Sequence, residues 1–111
     1  MCLPRKGRPV KTMRKLYDQC LEELDGVMEY SKCSMSYAQI DPELSKMYLG
    51  MAKAEMEHAK SLHTASQKKA SSKMGDKETI DPMLMELWEE MECAKLDKMA
   101  MAKACLDNAQ G

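Results

Sequence analysis

Phenylalanine is absent from the 111 residues, and aromatic residues of all kinds make up only 5%. Five glycines and four prolines are also few for a chain of this length. β-Sandwiches and barrels need aromatic and β-branched strands joined by glycine- and proline-bearing turns, so these shortages argue against an all-β fold. There is no apolar run long enough to cross a bilayer and no signal-peptide core, which leads to the expectation of a cytoplasmic protein with no membrane partner. The five cysteines (Cys2, Cys20, Cys33, Cys93 and Cys105) are odd in number and form no C-x-x-C pair. They read as reduced thiols, not as a disulfide framework or a zinc site. A dominant charge of one sign is missing too. Seventeen basic residues against 18 acidic ones leave −1, which excludes a generic polyanion binder.

What the chain does have is helix-forming material. Methionine occurs 13 times, hydrophobic residues make up 44% and charged residues 32%. Methionine suits helices and fills irregular gaps between them, so most of these side chains read as core filler. The length fits one domain. The sequence therefore predicts an all-α protein: an antiparallel helical hairpin plus a third helix. Residues 1–10 carry Pro4, Gly7 and Pro9 and read as a basic, flexible arm ahead of a single helical domain over residues 11–111. Arg5, Lys6, Arg8, Lys11, Arg14 and Lys15 all precede the first acid, Asp18.

Three helices are expected, over residues 11–37, 42–66 and 82–107. The first shows a seam of Met13, Leu16, Cys20, Glu23, Val27, Tyr30, Ser34 and Tyr37 in unbroken 3-4 spacing. Asp41 and Pro42 supply an N-cap and first-turn proline for the second, whose seam reads Leu44, Tyr48, Met51, Glu55, His58 and Leu62. The polar run from Ser66 to Thr79 reads as a loop, and Asp81-Pro82 opens the third helix. Ile40-Asp41-Pro42-Glu43-Leu44 is echoed by Ile80-Asp81-Pro82-Met83-Leu84, which aligns Glu55 and His58 with Lys95 and Lys98. Trp88 reads as a core or dimer anchor. His63 reads as exposed, and Glu86, Glu89, Glu90 and Glu92 as a solvated face.

Polar residues standing where the seam should be apolar carry the chemistry. An unpaired carboxylate is costly to bury, so Glu23, Glu55 and His58 need a compensating partner. Glu55-x-x-His58 places a carboxylate and an imidazole on one helical face a turn apart, with Glu23 on the neighbouring helix. Carboxylate-rich sites with one histidine per metal suit iron or manganese better than zinc or copper.

These residues resemble the ferritin-like superfamily, in which a first helix bears a Glu followed seven residues later by a Tyr and a second bears E-x-x-H. Here the pattern is Glu23…Tyr30 and Glu55-x-x-His58. The stretch from about residue 20 to residue 65 is most similar to the encapsulated ferritins, two-helix-plus-tail proteins that build a four-helix bundle by pairing subunits. The third helix here is longer than that family's tail. The resemblance implies Glu23 and His58 as terminal metal ligands, Glu55 as a bridging ligand and Tyr30 as the nearby phenol. It implies a di-iron site shared between two chains that oxidises Fe(II) to Fe(III). One chain offers two Glu and one His, half of a set of four carboxylates and two histidines, and a homodimer or higher homo-oligomer would complete both site and bundle. Iron storage would further require a larger assembly or an encapsulating compartment. The same ligands would serve peroxide reduction in rubrerythrin-like relatives. The rival reading is a non-enzymatic helical interaction module, of phage or mobile-element origin, binding a protein or nucleic acid through residues 5–15.

Overall fold

The computed structural model describes the backbone of residues 3–74 and 82–111, with side chains for residues 11–71 and 82–111. Three helices follow one another: α1 (Leu3–Tyr37), α2 (Pro42–Met74) and α3 (Pro82–Gln110), with no strand among the described residues. The protein is all-α. Among the described residues no helix is long and apolar enough to cross a membrane.

The hairpin turn lies where the sequence places it. Asp41 accepts a hydrogen bond from the Leu44 N–H (3.1 Å) and Pro42 opens α2, so a capping side chain and a proline whose missing N–H costs nothing start the helix. Three other boundaries differ from expectation. α1 begins at Leu3, so residues 3–10 are helical and not a non-helical arm. Pro4 falls in the first turn, where N–H groups have no intrahelical partner. α2 runs beyond residue 66 to Met74. The Ser, Lys, Gln and Ala residues of this extension tolerate a helix, no Gly or Pro falls between Ser66 and Gly75, and Ser66 and Ala70 are buried. α3 likewise continues past Asp107 to Gln110. Asp81, expected to open the third helix, and residues 75–79 of the expected loop lie outside the described residues.

Packing corrects the expected seams by one column. On α1 the buried residues are Cys20, Leu24, Val27, Ser31 and Ser34, so Leu24 and Ser31 take the inner positions expected for Glu23 and Tyr30. On α2 they are Ala52, Met56, Ala59, Ser66 and Ala70. The expected α2 seam lies next to this column, with Tyr48, Glu55 and Leu62 half-buried and Met51 and His58 exposed. Small residues on α2 allow close approach. At the turn end the Ser34 hydroxyl donates to the Ser45 carbonyl (2.8 Å) and the Ser45 hydroxyl donates back to the Ser34 carbonyl (2.6 Å).

α3 runs parallel to α1 and packs chiefly against it, adding Ala102 and Leu106 to the core. Lys98 of α3 reaches Asp25 of α1 (2.6 Å). Asp25 and Glu23 are two residues apart, about 200° round the helix. α3 and Glu23 therefore occupy opposite flanks of α1. The hairpin flank carrying Glu23, Tyr30, Tyr48 and Glu55 is left uncovered by the chain's own third helix. The molecule measures 59 × 23 × 16 Å, thin enough for each helix to keep a solvent-facing side.

Candidate metal centre

Glu23, Glu55 and His58 come together on that uncovered flank. Each offers a donor atom, and these atoms all lie within 4.8 Å of one another. The antiparallel hairpin creates the group: α1 contributes Glu23 near its midpoint, and one turn of α2 contributes both Glu55 and His58 opposite it. His58 Nδ1 stands 3.4 Å from Glu23 Oε2. That oxygen is buried yet accepts no hydrogen bond. A buried carboxylate oxygen that accepts no hydrogen bond is costly unless a cation, whether a protonated His58 or a metal ion, satisfies it. Two carboxylates and an imidazole form a donor set suited to a hard divalent ion such as iron or manganese.

Electrostatics at the group point the same way. The Glu55 carboxyl is held above its ordinary range, first because it shares a hydrogen bond with Glu23, then through burial and the negative charge of Glu23, while His58 works in the opposite direction. Two acids set this close repel when both are ionised, and a divalent cation between them removes that repulsion.

Tyr30 is not part of the trio. It lies two turns along α1 from Glu23, about 10 Å in axial rise. There its ring stacks on Tyr48 (centroids 6.1 Å apart), which in turn stacks on Tyr37 (5.9 Å). The uncovered flank thus carries a tyrosine stack toward the turn and the ligand group nearer its middle.

Gly26 borders the group. Gly26 lies one turn from Glu23, and a Cβ there would meet Glu55 Oε2 at 3.0 Å. The available signal was a glycine inside an otherwise strong helical pattern, where alanine would be the better helix former.

A second polar cluster lies on the other side of the hairpin, among all three helices. Lys95 is fully buried and pairs with Glu92, its ammonium 5.6 Å from the centroid of the half-buried Trp88 ring. Gln67 of α2 donates to Glu92 (2.9 Å). Glu92 therefore belongs to an interior contact and not to a solvated face. His63 is also corrected: it is half-buried, with Nδ1 shielded from solvent and lacking a partner. Burial, and then the charge of Lys95, hold its pKa below the ordinary value, with Glu92 opposing. The Cys20 thiol donates to the Ala59 carbonyl (3.5 Å), and burial pushes its pKa up, which keeps it a poor nucleophile. Cys20, Cys33, Cys93 and Cys105 are free thiols. Of the basic stretch, Lys11, Arg14 and Lys15 are exposed and Arg14 pairs with Asp18 (3.3 Å); the side chains of residues 5–10 lie outside the described residues.

The His63 environment gives a pH prediction. A histidine with a lowered folded-state pKa binds protons better when unfolded, so its contribution is present above about pH 6.5 and is lost as pH falls through the folded value. Wild-type stability is expected to drop more steeply than that of His63→Gln between neutral pH and mildly acidic pH, measured by urea denaturation at each pH. Parallel curves for the two proteins would show that His63 is not held neutral by the fold.

No family model, no curated protein and no solved structure matches this chain.

Proposed function

We propose that the protein is a ferritin-like di-iron protein that binds iron at Glu23, Glu55 and His58 and oxidises Fe(II) to Fe(III). The observation that carries this reading is the convergence of the three donor atoms within 4.8 Å around a buried carboxylate oxygen that has no hydrogen-bond donor. Iron is here the substrate, and dioxygen or peroxide accepts its electrons. The chain's part is geometric and electrostatic. Glu23 and Glu55 offset the ion's charge, His58 adds a neutral nitrogen donor, and Tyr30 supplies a phenol on the same flank.

A second copy completes the site in this proposal. Three protein ligands hold one ion per chain, and two uncovered hairpin flanks placed face to face bring two such sets into one four-helix core. The exposed Met51 between Tyr48 and Glu55 suits such a contact, because methionine adapts to irregular gaps. α3 stays on the outer side of its own hairpin, where it does not block this pairing.

The test is metal content per chain by plasma mass spectrometry after anaerobic loading with Fe(II) and desalting, with molecular mass from light scattering. About one iron per chain in a dimer or larger species, lost in Glu55→Ala, is the expected result. Retention of iron by neither protein, or equally by both, would overturn the proposal.

A further inference from the structure

The three heavy atoms nearest to a Cβ built on Gly26 all belong to one side chain: Glu55 Oε2 at 3.0 Å, with Cδ and Cγ each at 3.3 Å. A glycine conserving space for helix–helix packing would meet partner backbone or core side chains instead. Here the vacated volume is filled by a carboxylate and its stem. Gly26 is half-buried on the same flank as Glu23, one turn away along α1. The Glu55 carboxylate also has a donor oxygen within 4.8 Å of one on Glu23, so it lies against α1.

Gly50 is also inside a helix, in α2, and a Cβ there would meet nothing within 4 Å. Gly26 and Gly50 thus differ in kind, Gly50 beside open space and Gly26 beside the Glu55 side chain.

We infer that Gly26 is a positioning residue of the metal site: its missing side chain lets the Glu55 carboxylate lie against α1 beside Glu23, close enough for both to hold one ion. The inference rests on the metal-binding reading above. Physically, a methyl group at residue 26 stands 3.0 Å from Oε2, closer than a carbon and an oxygen pack comfortably. The far end of Glu55 is flexible and relieves the contact by swinging outward. The shift needed is a few tenths of an ångström, so folding is undisturbed while the Glu55 donor is displaced from its place beside Glu23. A purely structural glycine would behave differently, since its loss would harm folding and binding together.

Gly26→Ala, Gly50→Ala and wild type would be titrated with Co(II), read by visible absorption and calorimetry, and melted without metal. Gly50→Ala is expected to melt about 2–6 °C higher than wild type and bind Co(II) unchanged, because it adds only helix propensity. Gly26→Ala is expected to melt no lower than wild type yet bind Co(II) roughly 10- to 100-fold more weakly, with an altered absorption spectrum. Unchanged affinity in Gly26→Ala would overturn the inference and leave the metal site standing. A parallel loss of melting temperature and affinity would also overturn it, because that is the signature of a packing glycine. Wild type that fails to bind Co(II) and iron alike would overturn the metal reading itself, and this inference with it. If Gly26→Ala does not fold, the Gly26→Ala/Glu55→Ala double variant should fold and melt above Glu55→Ala alone. Failure of that double variant would likewise sink the idea.

Discussion

Glu92→Ala is expected to destabilise the protein by about 3–5 kcal/mol, because it strands the Lys95 ammonium in the core without its carboxylate. Lys95 is fully buried and Glu92 nearly so, which removes the solvent screening that makes surface pairs weak. Gln67 loses its acceptor at the same time. A domain of this kind has only about 5–15 kcal/mol of stability in total, so the variant should sit near the threshold of folding. The partner experiment removes the charge as well. Lys95→Met with Glu92→Leu replaces two desolvated ions by apolar groups of similar size, and such exchanges are neutral or stabilising by about 1–4 kcal/mol. Chemical denaturation of wild type, Glu92→Ala and the double variant gives all three values. A cost under about 1 kcal/mol for Glu92→Ala would mean that water reaches the pair and that it does not hold α3 in place.

Glu55→Gln is expected to separate stability from function. In the metal-free protein a shared hydrogen bond with Glu23, then burial and the negative charge of Glu23, raise the pKa of Glu55. A carboxyl with a raised folded-state pKa binds its proton more tightly when folded, so its contribution is fully present below about pH 4.5 and is lost as pH rises through the folded value. At neutral pH the repulsion remains, and a neutral amide at residue 55 relieves it. Metal-free Glu55→Gln should therefore melt at least as high as wild type. Saturating metal should reverse the order. At a Mn(II) concentration a hundred times its Kd, wild type gains about 2.7 kcal/mol by linkage. The variant, with one carboxylate removed, should gain little. Thermal melts with and without Mn(II), at equal protein concentration, measure both effects. A Mn(II)-induced shift of equal size in the two proteins would show that Glu55 is not a ligand.

These expectations draw unequally on the sequence. The hairpin was readable because Asp41-Pro42 is both a capping signal and a constraint on φ, and the structure uses it in that way. Glu23, Glu55 and His58 were readable because acidic and imidazole groups stood out in 3-4 columns, and the hairpin does bring them together. The end of α2 was not readable. Serine and lysine are compatible with either a loop or an exposed helix, and burial of Ser66 and Ala70 tips that balance. Burial of Lys95 was not readable either: the echo aligns it with Glu55 of the α2 seam, but lysine is almost never fully buried and so reads as an exposed residue.

By itself, then, the sequence determined the all-α class, the turn before Pro42 and the identity of the polar residues on the hairpin. Tertiary structure decided which of two adjacent columns on each helix faces inward. It placed Leu24 and Ser31 inside and left Glu23 and Tyr30 at the flank. It also set Gly26 against Glu55, and Lys95 with Glu92 in the core. The physical reason is that a helical repeat of about 3.6 residues gives two neighbouring columns, roughly 100° apart, nearly the same 3-4 spacing. Periodicity alone cannot rank them. Only the free energy of contact with the other two helices does so.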